Sequence, residues 1–548
     1  MRIDRRQALA TLGSGLAAPA LGSSQGGFAG FIHGVASGDP SSDGAVIWTR
    51  ATPPDLNAPD IPLRWHVMES PEGQPVRSGR TLARNAADFT AKVEVRGLRP
   101  GREYWYRFVT EPGQASDVGR FRTLPVGRTP DLVLAVASCS LYPGGYFNAY
   151  RAIADLPRVD AVLHLGDYIY EYGPDGYGAA IGRKLNRLPE PPHETVTLAD
   201  YRARHAQVKR DADAQAMHAR AASIVVWDDH EVTNDGWLHG AENHQPATEG
   251  NWAKRKAAAM QAYFEWMPIR DPRPGRPWAA IFRHFEFGDL ATLAMVETRL
   301  LARSAQVAFK GAAPTPDEFA PMLAERARPD RELLGDGQRR WLEGVLARSK
   351  RAGKPWQLLG NQVIAARVNG PDLERRLGPE RYAAALARLP EEFRARAGAL
   401  AVSYRAGLPF NLDSWDGYPA ARERLYAGFA RAGVRPLLLA GDSHASWAND
   451  LHDASGRLVA AEFGATAVTS PSYGDLLPGI GRLIQQASPE VAFCDQDAKG
   501  FLLLTLTRDR AEADFRAVST VTARPFTTRS LARYAAQPGL PGKLQRLA

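Results

Sequence analysis

The sequence predicts an α/β domain preceded by a small β-sandwich. Three features lead there. Short alternating strands broken by Pro and Gly turns fill the chain up to about residue 124, apolar strand segments separated by helical stretches follow residue 130, and a polar cluster comes directly after each of those strands.

Length and composition set the frame. The 548 residues, 44% of them hydrophobic, suit several packed domains at about 150 residues each, which excludes a mainly disordered chain. Fifty glycines and forty prolines follow no period, so collagen-like and simple repeat folds are excluded as well. Two cysteines, Cys139 and Cys494, are too few for a disulfide-stapled scaffold. The formal charge of +8 comes mainly from dispersed arginine, apart from short runs such as Lys254, Arg255 and Lys256. That pattern is not a nucleic-acid platform and suits a small anionic substrate.

Residues 1–27 read as a removable export signal. Arg5 and Arg6 precede a mildly apolar stretch from Ala8 to Leu21 and a flexible Ser23 to Gly27 segment. The arginine pair resembles a twin-arginine signal, which implies export by that machinery to the periplasm or the cell exterior; Ala8 stands where an aromatic residue is typical, and an ordinary secretory signal also fits. No later segment reaches the roughly 18 apolar residues of a membrane anchor.

Residues 28–125 form the expected sandwich. Its strands are Ala45 to Arg50, Leu63 to Glu69, Lys92 to Val95, Glu103 to Thr110 and Gly119 to Thr123, bounded by turns such as Arg99-Pro100-Gly101. The stretch from Leu98 to Tyr106 resembles the turn and following strand of fibronectin type III domains, so the sandwich is expected to be fibronectin/Ig-like. The linker Pro125 to Pro130 leads into the α/β domain, residues 131–520, and residues 521–548 read as a polar tail. Within the larger domain, Leu132 to Ala137, Ala161 to Leu165, Ser223 to Trp227, Ala291 to Val296, Trp356 to Leu359 and Pro436 to Ala440 are apolar throughout, as strands covered on both faces are. Helical spacing appears around Leu198 to Val208, Trp252 to Trp266, Arg339 to Ala352 and Ala420 to Ala432.

The chemistry collects behind those strands. In order, they run into Ser138-Cys139-Ser140, Gly166-Asp167-Tyr168-Ile169-Tyr170, Asp228 to Asn234, Glu297-Thr298-Arg299, Gly360-Asn361-Gln362 and Gly441-Asp442-Ser443-His444. Any one such tip has a plain structural use, as a helix cap or a satisfied polar residue. Six of them beyond the carboxyl ends of one open sheet predict a single crevice. So many carboxylates there call for cations. Thiolate and phenolate ligands favour iron(III), whereas Asp and Asn oxygens suit calcium, magnesium or manganese, so a mixed-metal centre is expected. No Walker-type phosphate loop is present.

Five stretches in order, HGVASGDPSSDGAVIWTR (33–50), ASCS (137–140), LGDYIY (165–170), WDDHEVTN (227–234) and AGDSH (440–444), resemble the PhoD alkaline phosphatase and phosphodiesterase family, within the calcineurin-like, purple acid phosphatase-related metallophosphoesterases. The resemblance implies the layered-sheet metallophosphoesterase fold and hydrolysis of phosphate mono- or diesters by a metal-activated hydroxide or oxide. It implies Fe3+ held by Cys139, Asp167, Tyr170 and His444, with Asp167 bridging. It implies Ca2+ held by Asn234 and Asp442, with Asp229 as a further ligand or support, and a phosphate-binding Arg255. Glu297 stands where the family pattern has Asp, and no role follows for it or for Cys494. Two other readings are a phospholipase-D-like hydrolase of lipid headgroups and a non-catalytic cell-surface binding protein.

Overall fold

The structure is a computed structural model, and it describes residues 30–309, 315–388 and 391–548. The export-signal reading of residues 1–27 therefore lies outside the described residues. Two large sheets lie face to face. The first has ten strands in the order Gln545–Leu547, Thr528–Ala536, Ala511–Val518, Gly500–Thr507, Asp131–Ala137, Ala161–His164, Ser223–Val225, Val35–Ser41, Gly44–Arg50 and Thr90–Val95. The second has seven, in the order Arg283–Phe287, Ala291–Met295, Trp356–Gly360, Leu437–Ala440, Leu458–Gly464, Ser446–His452 and Val491–Asp495.

Strand periodicity explains the layering. Leu358, Leu437 and Leu439 point into one core shared with Leu134, Val136 and Leu163 of the first sheet. Their neighbours Leu359 and Leu438 point the other way, against Leu342, Val345 and Leu346 of the helix Gly335–Arg351 and Leu425 and Phe429 of the helix Pro419–Ala432. Strands covered on both faces must be apolar at every position, as these are.

The structure redraws the sequence reading in three places. Val35–Ser41 pairs in parallel with Ser223–Val225 through Gly38 and Ser223. The expected sandwich thus shares one of its sheets with the larger domain, and only Pro75–Ala83, Ile61–Met68, Glu103–Thr110 and Gly119–Arg122 form a separate four-stranded sheet. The two layers still enclose one core, with Ile47 and Val95 facing Val67, Tyr106 and Phe121.

The expected polar tail contains two strands of the ten-stranded sheet. In Thr528–Ala536, buried Ala532, Tyr534 and Ala536 alternate with Arg529 and Arg533, a strand period that average composition conceals. Finally, the six chemical strands divide between two sheets rather than lining one. Asp131–Ala137, Ala161–His164 and Ser223–Val225 run parallel in the first, and Ala291–Met295, Trp356–Gly360 and Leu437–Ala440 run parallel in the second. The loops beyond their carboxyl ends are tied across the sandwich by a bridge between Ser138 and Ala467 and by the N–H of Ser470 donating to the Cys139 carbonyl.

Candidate metal centre

Local backbone geometry marks the site before any side chain is considered. Cys139, Asp167, Asp442 and His444 have φ of 61°, 58°, 61° and 55°, a left-handed conformation uncommon outside glycine. Such conformations persist where the surroundings enforce them and cluster at functional sites. Gly166 permits the closest approach: a Cβ there would stand 2.4 Å from the Cβ of Asp228. Glu231 then locks the two loops together, accepting the backbone N–H groups of Asp167 (3.0 Å), Tyr168 (2.7 Å) and Asp228 (2.7 Å).

Asp167 is the hub of the side chains gathered there. Its carboxylate belongs to three clusters whose donor atoms all lie within 4.8 Å of one another: one with Cys139 and His444, one with Asp229 and His230, and one with Asp228, Asp229 and Asp442. Tyr170 joins the first, its hydroxyl donating to Asp167 Oδ2 at 3.1 Å and lying 3.3 Å from His444 Nε2. His444 Nδ1 stands 2.6 Å from the Pro471 carbonyl. An N–H there leaves the Nε2 lone pair for a cation, the usual second contact of a metal-ligating histidine.

These groups sit in an electrostatically costly arrangement. Burial, and after it the carboxylates of Asp229, Asp228 and Glu231, push Asp167 well above the usual carboxylate range against the opposing charge of His230. Burial and then Asp413 and Asp228 do the same for Asp442. Burial followed by Asp167 raises both the Cys139 thiol and the Tyr170 phenol, and burial lowers His444 to about 3. Two buried oxygens, Asp167 Oδ1 and Asp229 Oδ1, have no hydrogen-bond partner at all. A carboxylate oxygen left dry and unpaired is expensive, and a cation is the partner that fits. A thiol, a phenol and an imidazole gather in one group around Asp167 and carboxylate oxygens in another, so the donor set accommodates metal ions.

Residues that sequence reasoning did not single out complete the cluster. His230 Nδ1 lies 2.8 Å from Glu171 Oε2, and Glu171 also accepts from the Thr233 hydroxyl, the Asn234 N–H and the Asn243 amide. Burial alone would raise Glu171, but the charge of His230 and these hydrogen bonds bring it down to about 2. Burial likewise opposes protonation of His230, yet Glu171, Asp229 and Asp167 raise its pKa well above the ordinary value. Arg299 and Asp413 enter from far along the chain, the guanidinium reaching Asp228, Asp413 and Asp442. WDDHEVTN already contained His230 and Asp228; nothing near Asp413 in the sequence signals a site.

Two expected site residues sit differently. Asn234 offers its side-chain amide to Glu242 at 3.0 Å and its backbone N–H to Glu171. The phosphate-binding role expected of Arg255 does not match its surroundings. Its guanidinium is fully buried, and its five N–H groups are directed at the Tyr201 hydroxyl, the Asn243 and Thr195 carbonyls, Glu249 and Glu194. No donor is left for a phosphoryl oxygen, so in this geometry Arg255 braces loops around the site. The Gly360-Asn361-Gln362 tip is also structural: Gln362 accepts from Thr298 at 2.6 Å and donates to the Val296 carbonyl.

Known proteins resemble the chain over most of its length. Residues 134–515 match the model of the PhoD-like phosphatase family, and residues 16–125 match that family's N-terminal domain. Alkaline phosphatase D of Bacillus subtilis (strain 168) is 35% identical over 506 residues, covering 90% of this chain and 78% of the relative. A solved structure of PhoD superposes with a TM-score of 0.76 at 33% identity, covering 95% of this chain and 92% of that one. The purple acid phosphatase PPD1 of yellow lupin (Lupinus luteus) shares the fold, with a TM-score of 0.52 at 13% identity, over 91% of this chain and 73% of the lupin chain. Matched over most of its length in sequence and in fold, the chain belongs to the PhoD-like phosphatase family and is a phosphatase.

Proposed function

We propose that this protein is an exported, metal-dependent hydrolase of phosphate mono- and diesters. In this reading Cys139, Asp167, Tyr170 and His444 would hold iron(III), and Asp167, Asp229 and Asp442 would hold calcium together with the amide oxygen of Asn234, whose nitrogen is the atom that Glu242 engages. The observation that carries it is Asp167 itself: one carboxylate shared by three donor clusters, with a buried oxygen that nothing in the protein satisfies. Cations bound there supply positive charge for the phosphoryl oxygens and acidify water near neutral pH.

The chain's own residues prepare and position. Glu231 fixes the register of the Asp167 and Asp228 loops, and Glu171 holds the His230 ring beside Asp167 and Asp229. Held on Glu171, the His230 ring lies beside the carboxylates of Asp167 and Asp229, where a departing alkoxide needs a proton. Arg255 acts at one remove, by fixing Glu194, Thr195 and Glu249 around the loop that carries Glu171. Among the described residues no helix is long and apolar enough to cross a membrane. The export reading rests on the sequence of residues 1–27.

Elemental analysis and a visible spectrum of purified protein test the reading, together with turnover of p-nitrophenyl phosphate, bis-p-nitrophenyl phosphate and phosphatidylcholine. Iron, calcium and a charge-transfer band that disappears in Tyr170→Phe are expected, with hydrolysis of the aryl esters. Metal-free protein with full turnover would overturn metal dependence, and faster headgroup release from phosphatidylcholine would favour a phospholipase.

A further inference from the structure

Glu297-Thr298-Arg299 gained no role from the sequence, yet it follows the strand Ala291–Met295 and sends an arginine into the carboxylate cluster. Glu297 fixes that turn, accepting the N–H groups of Arg299 (2.9 Å), Leu300 (2.6 Å) and Leu301 (2.9 Å) and the indole N–H of Trp227 (3.0 Å). The Arg299 guanidinium is fully buried. It grips Asp228 with Nε at 2.5 Å and Nη2 at 3.2 Å, and Asp413 with Nη1 at 2.6 Å and Nη2 at 2.7 Å. Arg303 also pairs with Asp413.

The carboxylates therefore fall into two sets. Asp228 and Asp413 have both oxygens on guanidinium N–H groups. Asp442 meets Arg299 through one oxygen at 3.2 Å, Asp229 Oδ1 lies 3.5 Å away, and Asp229 Oδ1 and Asp167 Oδ1 have no hydrogen bond. A forked guanidinium satisfies a carboxylate in two-point fashion and, unlike a lysine, stays charged under all ordinary conditions.

We propose that Arg299 is a built-in cation that reserves Asp228 and Asp413 for itself and so limits how many divalent cations the centre admits. The proposal rests on the metal-dependent reading above. Arg299 is a positioning residue here: it decides which carboxylates remain as ligands. Removing it would leave buried, uncompensated carboxylates, and a divalent cation with its preference for several oxygen ligands would be drawn to them.

The test is calcium content by elemental analysis after equilibration with calcium and dialysis, alongside thermal melting with and without added calcium, for wild type, Arg299→Met, Arg299→Lys and Asp413→Asn. Arg299→Met is expected to retain about one more calcium per chain than wild type, and added calcium should raise its melting midpoint by more. Arg299→Lys, which keeps the charge, and Asp413→Asn, whose carboxylate is taken up by Arg299 and Arg303, should retain the wild-type count. Wild-type calcium content and response in Arg299→Met overturn the proposal, as does loss of calcium from Asp413→Asn. If Arg299→Met does not fold in either condition, Asp413→Asn decides by the same criterion. Wild type that retains neither iron nor calcium fails the metal-dependent reading itself, an outcome distinct from any difference among the variants.

Discussion

Glu171 and His230 form a buried pair beside the Asp167 carboxylate cluster, with 2.8 Å between the carboxylate and Nδ1. The pair explains why an imidazole enclosed by protein keeps a high pKa, since Glu171 is the foremost of the charges that raise it. Glu171→Gln removes that charge. The pKa of His230 should fall, and the alkaline limb of the pH–rate profile should move to lower pH, with turnover reduced about 10- to 100-fold, the usual range for a group supporting a metal site. An unmoved limb would separate His230 from proton transfer.

Asp167→Asn tests the hub. Asparagine tolerates the left-handed backbone at φ 58°, so the fold should survive. Loss of the bridging charge should remove metal and cost on the order of 1,000-fold in turnover, several kcal/mol of transition-state stabilisation. Parallel circular dichroism and elemental analysis check both halves, and unchanged turnover would defeat the assignment.

Arg255 separates bracing from phosphate binding. As a brace with five satisfied N–H groups, its change to Ala should cost about 3 kcal/mol of stability, because Glu194 and Glu249 lose their buried partner. A phosphate ligand would instead raise KM and leave the denaturation midpoint where it was. Chemical denaturation beside steady-state kinetics distinguishes the two.

Acid sensitivity follows from three buried histidines, His33, His164 and His205, each lowered to about 3, first of all by burial. The unfolded chain takes up these protons near pH 6.5, whereas the folded protein resists until about pH 3. Their contribution to stability is complete above pH 6.5 and is lost progressively as pH falls toward 3. His205 has no hydrogen-bond partner at either ring nitrogen and packs against Tyr168 and Tyr263. His205→Phe should therefore stabilise the protein by about 1 kcal/mol and flatten the fall between pH 6.5 and 3. Denaturation midpoints across that range measure it, and an equally steep or steeper decline in the variant would contradict the account.

The order of residues along the chain was enough to establish the chemistry available and its approximate placement. Apolar runs such as Leu437–Ala440 could only be doubly covered strands, and a Cys, a Tyr and several Asp directly after such strands had to lie at their carboxyl ends. It could not determine that those strands divide between two facing sheets, since partner choice depends on which surfaces bury one another rather than on local pattern. For the same reason Thr528–Ala536 read as tail, its exposed arginines concealing an inward alternation that matters only beside Ala511–Val518. The charge balance was decided by tertiary structure too. Arg255, expected to bind phosphate, is surrounded by acceptors once the chain folds, and Asp413, 114 residues from Arg299, became the partner of Arg299 through packing alone. Local sequence fixes which atoms can ionise or coordinate; burial and long-range proximity decide which of them remain unpaired.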